Sequence, residues 1–255
     1  MLRGRRIAVV VPAFNEAAKI GRTIRSVPGF VDHVIVVDDA SHDGTGRRAR
    51  RSQRRGLEVL RHPENRGVGA AIATGYARAF ALGAEVTAVM AGDSQMDPAD
   101  LGGLLGPVLD GRVDYAKGNR FAWPSGWRHM PPSRLLGNIV LSFLTRVAAG
   151  CWHLWDSQCG YTAANRAALA VVLAGPVFAR YGYPNDLLAR LSAAELRITD
   201  VPVRPVYGST WRSGIRISKV VLPLLGLLGR ATLRRLGRAL SPRRIFLQRD
   251  PQRAP

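Results

Sequence analysis

Three short runs constrain this chain most: Ile7-Ala8-Val9-Val10-Val11, Val34-Ile35-Val36-Val37 and Val86 to Met90. The first two are β-branched and carry no polar alternation, the pattern of a strand covered on both faces in a parallel sheet. Each run stops abruptly at polar residues: Asn15 and Glu16 after the first, Asp38, Asp39 and Ser41 after the second, Asp93 and Gln95 after the third. Helical segments lie between them. Ala17 to Val27 places Ile20, Ile24 and Val27 at helical spacing and is closed by Pro28-Gly29, Thr45 to Arg55 is a basic helix, and Gly69 to Leu82 is Ala-rich. With Leu57 to Leu60 as a further strand, the first 110 residues alternate strand and helix about four times. That order predicts a doubly wound α/β sheet, helices on both faces, with ligands at the carboxyl ends of the strands.

The sharpest of these ends is Ala88 to Pro98. Asp93 and Gln95 are two apart, so on an extended backbone their side chains share a face and their oxygens converge on one cation. Oxygen donors suit a hard divalent ion, Mg2+ or Mn2+, which keeps water and phosphate oxygens in its other positions. The alternative is a surface turn in which Asp97 caps a helix starting at Pro98. Gly67 and Gly69 precede the Ala-rich helix, where backbone N–H groups and the helix dipole could meet a phosphate. The pattern is not a dinucleotide fingerprint, since it lacks the third glycine, nor a P-loop.

Composition narrows the partners. The net charge of +19, from 37 Lys and Arg against 18 Asp and Glu, calls for an anionic partner: nucleic acid, acidic lipid or a phosphorylated substrate. No nucleic-acid-binding motif accompanies the charge. Cys151 and Cys159 have neither CxxC spacing nor a matching His set, which speaks against a disulfide framework or a zinc site and for a reducing compartment. The basic N-terminus leads into a short run that stops at Pro12, unlike a signal peptide. No window reaches the ~20 apolar residues of a membrane-crossing helix.

Four blocks, Val11-Pro12-Ala13-Phe14-Asn15-Glu16, Val37 to Thr45, Asn65 to Ala71 and Gly92 to Pro98, resemble in order and spacing the motifs of family 2 glycosyltransferases. The nearest branch is the dolichyl-phosphate mannosyltransferase-like, polyprenyl-phosphate glycosyltransferase group, and the likeness spans roughly residues 7 to 220. It implies a type A glycosyltransferase fold, a nucleotide-sugar donor, a divalent metal and inversion at the sugar carbon. Carried over residue by residue, Pro12, Ala13, Asn15 and Glu16 line the nucleoside pocket, and Asp38 binds base or ribose with Asp39 and Ser41 beside it. A carboxylate is suited to this, because it accepts hydrogen bonds from a base N–H or ribose hydroxyls. Asp93 and Gln95 match the metal ligands. One position departs: Ala91 stands where the family usually has an acid, which removes a negative charge near the diphosphate.

In the second half, Arg120 and Arg134 match the arginines that in the resembling family hold the acceptor phosphate, with Asn138 one turn after Arg134 on a helix from Ser133 to about Ala149. The alternative is that both are solvated surface arginines of an Arg-rich chain. Asp156, in a family-like Asp-x-x-x-Gly-aromatic stretch, is expected to orient the acceptor, since a phosphate nucleophile is already ionised. His153, beside tryptophans, is expected to be packed. Asp186, the acid that opens the following helix, is expected to touch the sugar or acceptor, Ile198 to Val203 is a last strand, and Arg212 and Arg216, on a loop over the site, are expected to close on the diphosphate. Leu233, Leu236 and Leu240 with Arg230, Arg234 and Arg238 have the composition of an interfacial helix.

The expected organisation is a catalytic domain over 1–212, an amphipathic membrane-surface segment over 213–240 and a basic disordered tail over 241–255. The expected activity is transfer of a hexose from a UDP- or GDP-sugar to polyprenyl phosphate, at the cytoplasmic face of the plasma membrane, by a peripheral enzyme with no specific nucleic acid. A non-lipid acceptor, or a binding protein of the same fold without turnover, stay as alternatives.

Overall fold

The computed structural model describes residues 1–124, 130, 132–180 and 182–206, and beyond them 226, 228–229 and 232–233. Its frame is a seven-stranded sheet of β1 (Ile7–Ala13), β2 (His33–Asp38), β3 (Leu57–Arg61), β4 (Val86–Val89), β5 (Tyr115–Asn119), β6 (Thr162–Asn165) and β7 (Ile198–Pro202), in the order β3-β2-β1-β4-β6-β5-β7. β1 and β2 are buried along nearly their whole length, as their β-branched runs require. Four pairings are parallel; β6 runs antiparallel to both neighbours, so the sheet is mostly parallel.

The helices are α1 (Ile20–Ser26), α2 (Thr45–Arg50), α3 (Val68–Ala81), α4 (Leu101–Leu109), α5 (Pro132–Ala149), α6 (Arg166–Leu173) and α7 (Tyr183–Ala193). Alternate residues of β1 feed opposite cores: Ile7, Val9 and Val11 pack with α1 and α4, whereas Val10 packs with Ile72 and Tyr76 of α3. The first helix is shorter than its periodicity predicts, because residues 17–19 form the turn that brings Glu16 to the sheet edge. α2 also ends early, at Arg50.

The strand order decides where the chemistry gathers. Because β6 is antiparallel, the segment entering it arrives at the end where β4 and β5 leave the sheet. Residues 89–96, 119–122 and 156–161 therefore meet at one rim. Nothing in the local sequence of β6 announces it, since Thr162-Ala163-Ala164-Asn165 has no β-branched run and is buried through small residues. The proposed segments 213–240 and 241–255 lie almost wholly outside the described residues; Leu228 packs on Ala148, with Leu141 and Leu144 alongside.

Candidate active site

At the rim, backbone bonds lace the strand ends together. The Asp39 N–H donates to the Ala13 carbonyl at 2.9 Å, and the Gly92 N–H donates to the Pro12 carbonyl at 3.1 Å. The loop after β1 is tied to the loop after β2: Asn15 N–H donates to Ser41 Oγ at 2.9 Å, and His42 N–H donates to Asn15 Oδ1 at 3.0 Å. Asn15 and Ala40 both take positive φ, 57° and 62°, which bends the two loops toward one another. Pro12, Ala13, Asn15, Glu16, Asp38, Asp39 and Ser41 are thus one cluster.

Within it the two aspartates do different work. Asp38 is 0% exposed, with Oδ1 accepting from Ser41 N–H at 2.9 Å and Oδ2 from Arg61 Nη1 at 2.8 Å. Asp39 anchors a loop: Oδ1 pairs with His62 Nδ1 at 2.7 Å and accepts from Arg66 N–H at 2.9 Å, and Oδ2 accepts from Gly67 N–H at 2.7 Å. The glycines answer to packing. Gly69 donates its N–H to the Ala179 carbonyl at 2.7 Å, and a Cβ on Gly69 would fall 2.1 Å from the Phe178 carbonyl oxygen. The phosphate contact expected of Gly67 and Gly69 is thereby replaced: both amides already donate inside the protein, and the start of α3 is covered by residues 178–180.

Asp93 leaves β4 in a tight turn and not on the extended backbone expected to set Asp93 and Gln95 on one face, since the left-handed residue between them breaks the two-residue alternation. Asp93 Oδ1 accepts from Gln95 N–H at 3.0 Å, Ser94 sits at φ 59°, and Ser94 Oγ lies 2.8 Å from Thr23 Oγ1. Burial raises the pKa of Glu16, Lys19 pulls it down, and the charge of Asp93 raises it again, which places these carboxylates in one field. Asp97 does cap the short turn Pro98–Asp100, accepting from Ala99 N–H at 2.9 Å. The capped-turn alternative therefore describes Asp97, while Asp93 lies before it.

On the far side of the rim Arg120 and Asp156 form a bidentate pair, Nε to Oδ2 at 2.7 Å and Nη2 to Oδ1 at 2.9 Å, and the Arg120 N–H adds a bond to Oδ2 at 3.1 Å. Burial disfavours the Asp156 charge, yet the guanidinium and its hydrogen bonds outweigh this and lower its pKa. Tyr183, whose pKa is raised chiefly by desolvation, lies in the fields of both Asp93 and Arg120, so the two halves of the site share one half-buried neighbour.

The remaining predicted residues divide. Asn138 is buried on α5 with its Nδ2 3.4 Å from Met130 Sδ. Arg134 lies on the same helix, and its side chain is outside the described residues, as are Arg212 and Arg216 entirely. Asp186 accepts from Phe178 N–H at 2.9 Å and Arg190 Nε at 3.0 Å, and so fastens the segment that covers α3. His153 contacts the Ile198 carbonyl at 2.9 Å. Lys117, fully buried on β5, and Asp200 on β7 were not anticipated; a lysine inside a covered strand was the one readable signal.

Residues 8–173 match the glycosyl transferase family 2 domain. The chain belongs to this family. It is a glycosyltransferase, and its α/β sheet has the type A form. It is 28% identical over 216 residues to a UDP-N-acetylglucosamine–dolichyl-phosphate N-acetylglucosaminyltransferase of Methanococcus voltae, covering 79% of this chain and 86% of the relative. It is 28% identical over 206 residues to the polyprenol monophosphomannose synthase of Mycolicibacterium smegmatis, covering 78% and 76%. Glucosyl-3-phosphoglycerate synthase of Mycobacterium tuberculosis, solved with Mn2+, uridine diphosphate and phosphoglyceric acid, superimposes with a TM-score of 0.69 at 22% identity over 90% of this chain and 79% of that one. The same enzyme has also been solved with Mg2+ and uridine diphosphate.

The glycosyltransferase's own donors fit such an ion. Asp93 and Gln95 offer only hard oxygens, and no group of three His, Cys, Asp or Glu side chains able to cage a metal exists among the described residues. One carboxylate with few protein partners is the arrangement of a metal whose other ligands are water and phosphate.

Proposed function

We propose that this glycosyltransferase moves a hexose from a UDP- or GDP-sugar to polyprenyl phosphate, with inversion, at a membrane surface. The observation that carries the acceptor is the outer face of α5. Leu136, Ile139, Val140 and Phe143 recur on it at helical spacing and are exposed, Leu136 by 65%, and Trp152 and Trp155 extend the patch. An exposed apolar face suits an isoprenoid chain, and the buried side of the same helix is tied to the segment carrying Asp156, where Ser157 N–H donates to Ser142 Oγ at 3.0 Å. Arg146 stacks over Trp155, its guanidinium 4.6 Å from the ring centre, adding a cation at the edge of that face. The relatives that act on dolichyl or polyprenol phosphates point the same way.

The chemistry follows from charge. The acceptor phosphate is ionised near neutral pH, so no residue has to remove a proton from it. Asp156 stays ionised and holds Arg120 in one orientation through Nε and Nη2, and the guanidinium so held supplies positive charge toward the incoming anion. The ordered cluster from Asn15 to Ser41 binds the nucleoside. Asp93 and Gln95 would hold Mg2+ or Mn2+, which would offset negative charge on the donor diphosphate. With both anions fixed, a phosphate oxygen attacks the anomeric carbon as the nucleoside diphosphate departs from the opposite side. The wide anionic contact also accounts for the +19 charge. The relatives named for dolichyl and polyprenol phosphate products support a peripheral enzyme at the cytoplasmic face of the membrane, and no helix among the described residues is long and apolar enough to cross one.

The likeness to glucosyl-3-phosphoglycerate synthase supports a second reading, a diffusible phosphorylated acceptor. Incubation with radiolabelled nucleotide sugars, Mn2+ and either polyprenyl phosphate or 3-phosphoglycerate separates them. Label passing into chloroform is the expected result; label confined to the aqueous phase selects the diffusible acceptor. Binding of nucleotide sugar in calorimetry with no release of nucleoside diphosphate would instead mark a protein without turnover, the outcome that Ala91 would then explain.

A further inference from the structure

Beside the Arg120–Asp156 pair lies a second group of polar side chains, Lys117 and Asn119 buried and Asp200 half-buried, to which the transfer reaction gives no role. Lys117 is fully buried, and its Nζ donates to the Cys159 carbonyl. Asp200 stands in register with it on the paired strand, so both side chains leave the sheet on one face. Asp200 Oδ2 accepts from Asn119 Nδ2 at 2.9 Å and from the Trp155 N–H at 2.6 Å. These are the residues immediately before Arg120 and Asp156. Asn119 passes the constraint on, because its Oδ1 accepts from the Phe121 and Ala122 N–H groups at 2.9 and 3.1 Å and closes the turn that carries Arg120. Asp200 Oδ1 is buried without a hydrogen-bond partner among the described residues, a costly state for a group that contributes nothing.

The pair by itself fixes a guanidinium against a carboxylate; it does not fix the pair against the sheet. Arg120 and Asp156 lie 36 residues apart, one just past the end of β5 and the other on the segment that leads to β6. We propose that Asp200 is the positioning residue for acceptor binding: gripping Asn119 and Trp155 together, it sets where Arg120 and Asp156 stand and the direction from which the arginine meets the acceptor anion. This rests on the assignment of Arg120 to the acceptor phosphate.

The surroundings of Asp200 give the device a pH dependence. Burial pushes its carboxyl up to about 6, opposed by the Trp155 N–H, then by Lys117 on β5 and last by His153, with Asp156 pushing upward. Above that value the carboxylate accepts both bonds with full charge. Below it the group is neutral and the grip weakens.

The test uses the Nε–H signals of arginine in 1H–15N spectra, with the Arg120 signal assigned by its loss in Arg120→Lys. Without any ligand, wild type should show a slowly exchanging Arg120 signal that Asp200→Asn shifts or broadens at neutral pH. In the same variant the acceptor KM should rise by roughly tenfold to a hundredfold, with the donor KM and Tm near wild type. If the variant fails to fold, wild type titrated downward through pH 6 should show the same movement of the signal. An Arg120 signal that responds to neither change overturns the assignment. Failure of wild type to use a phosphorylated acceptor would refute the acceptor reading instead, and the spectrum would still decide the role of Asp200.

Discussion

Gly69 donates its backbone N–H to the Ala179 carbonyl at 2.7 Å, so the first turn of α3 rests directly against the segment that leads into α7. A methyl group at Gly69 would lie 2.1 Å from the Phe178 carbonyl oxygen, which is backbone and cannot step aside. Gly69→Ala is expected to cost about 1–3 kcal/mol of stability. Gly102→Ala, on α4 with nothing within 4 Å of the new methyl, should stabilise by ~0.5–1 kcal/mol. Urea unfolding of both variants checks the pair, and equal shifts would contradict the close approach.

Asp93→Ala should lower kcat/KM by at least roughly a hundredfold. It should also abolish the Mn2+-dependent part of nucleotide-sugar binding in calorimetry. Gln95→Ala leaves the carboxylate and should raise the Mn2+ concentration needed for half-maximal rate. Near wild-type turnover in Asp93→Ala would remove it from the mechanism.

The outer face of α5 predicts a membrane phenotype separable from folding. Phe143→Asp should reduce cosedimentation with anionic vesicles by about tenfold or more, since burying an aromatic side chain contributes ~1.5–3 kcal/mol. Phe143 is 51% exposed, so Tm should barely move. Vesicle binding unchanged by Phe143→Asp and Leu136→Asp together would place the contact elsewhere.

Acid should unfold the protein with a defined sign. Asp156 has its pKa lowered below 3.8, burial being overcome by Arg120, and Asp114 has its own lowered, first by Arg197. Each contributes stability that is complete above the ordinary carboxylate value and is lost as pH falls through the lower folded value. Asp200 acts oppositely: raised to about 6, it favours the folded state below 3.8 and ceases to above 6. Urea midpoints should therefore fall steeply below about pH 4 and decline gently, not rise, between about pH 4 and pH 6. A monotonic rise across that range would show that the Asp200 carboxyl is not raised toward 6 in the folded protein.

Much of the site was legible because strand ends are local features. An apolar β-branched run followed by carboxylates marks both a core strand and its exit, and Pro12, Asp38 and Asp93 stand where those runs leave the sheet. The partners of the carboxylates were not legible. Asp38 and Asp39 read as equivalent neighbours, yet one bonds Arg61 and the other His62 and Gly67, because which side of β2 each faces depends on the strands beside it. Gly67 and Gly69 read as a phosphate approach because the segment that covers them lies over 100 residues away in sequence. β6 was silent for a related reason: its residues are small because both faces are crowded, and crowding is a property of the assembled sheet.

By itself the sequence determined the alternation of strands and helices, the places where carboxylates emerge and the need for an anionic partner, since hydrophobic pattern and net charge are written into adjacent residues. Only the tertiary structure decided that β6 runs backwards between β4 and β5, bringing Asp156 to Arg120, and that β7 sets Asp200 against Asn119 and Trp155, the residues before them. Those contacts join residues far apart in the chain, and the cost of burying their charges is met only when the whole sheet has closed around them.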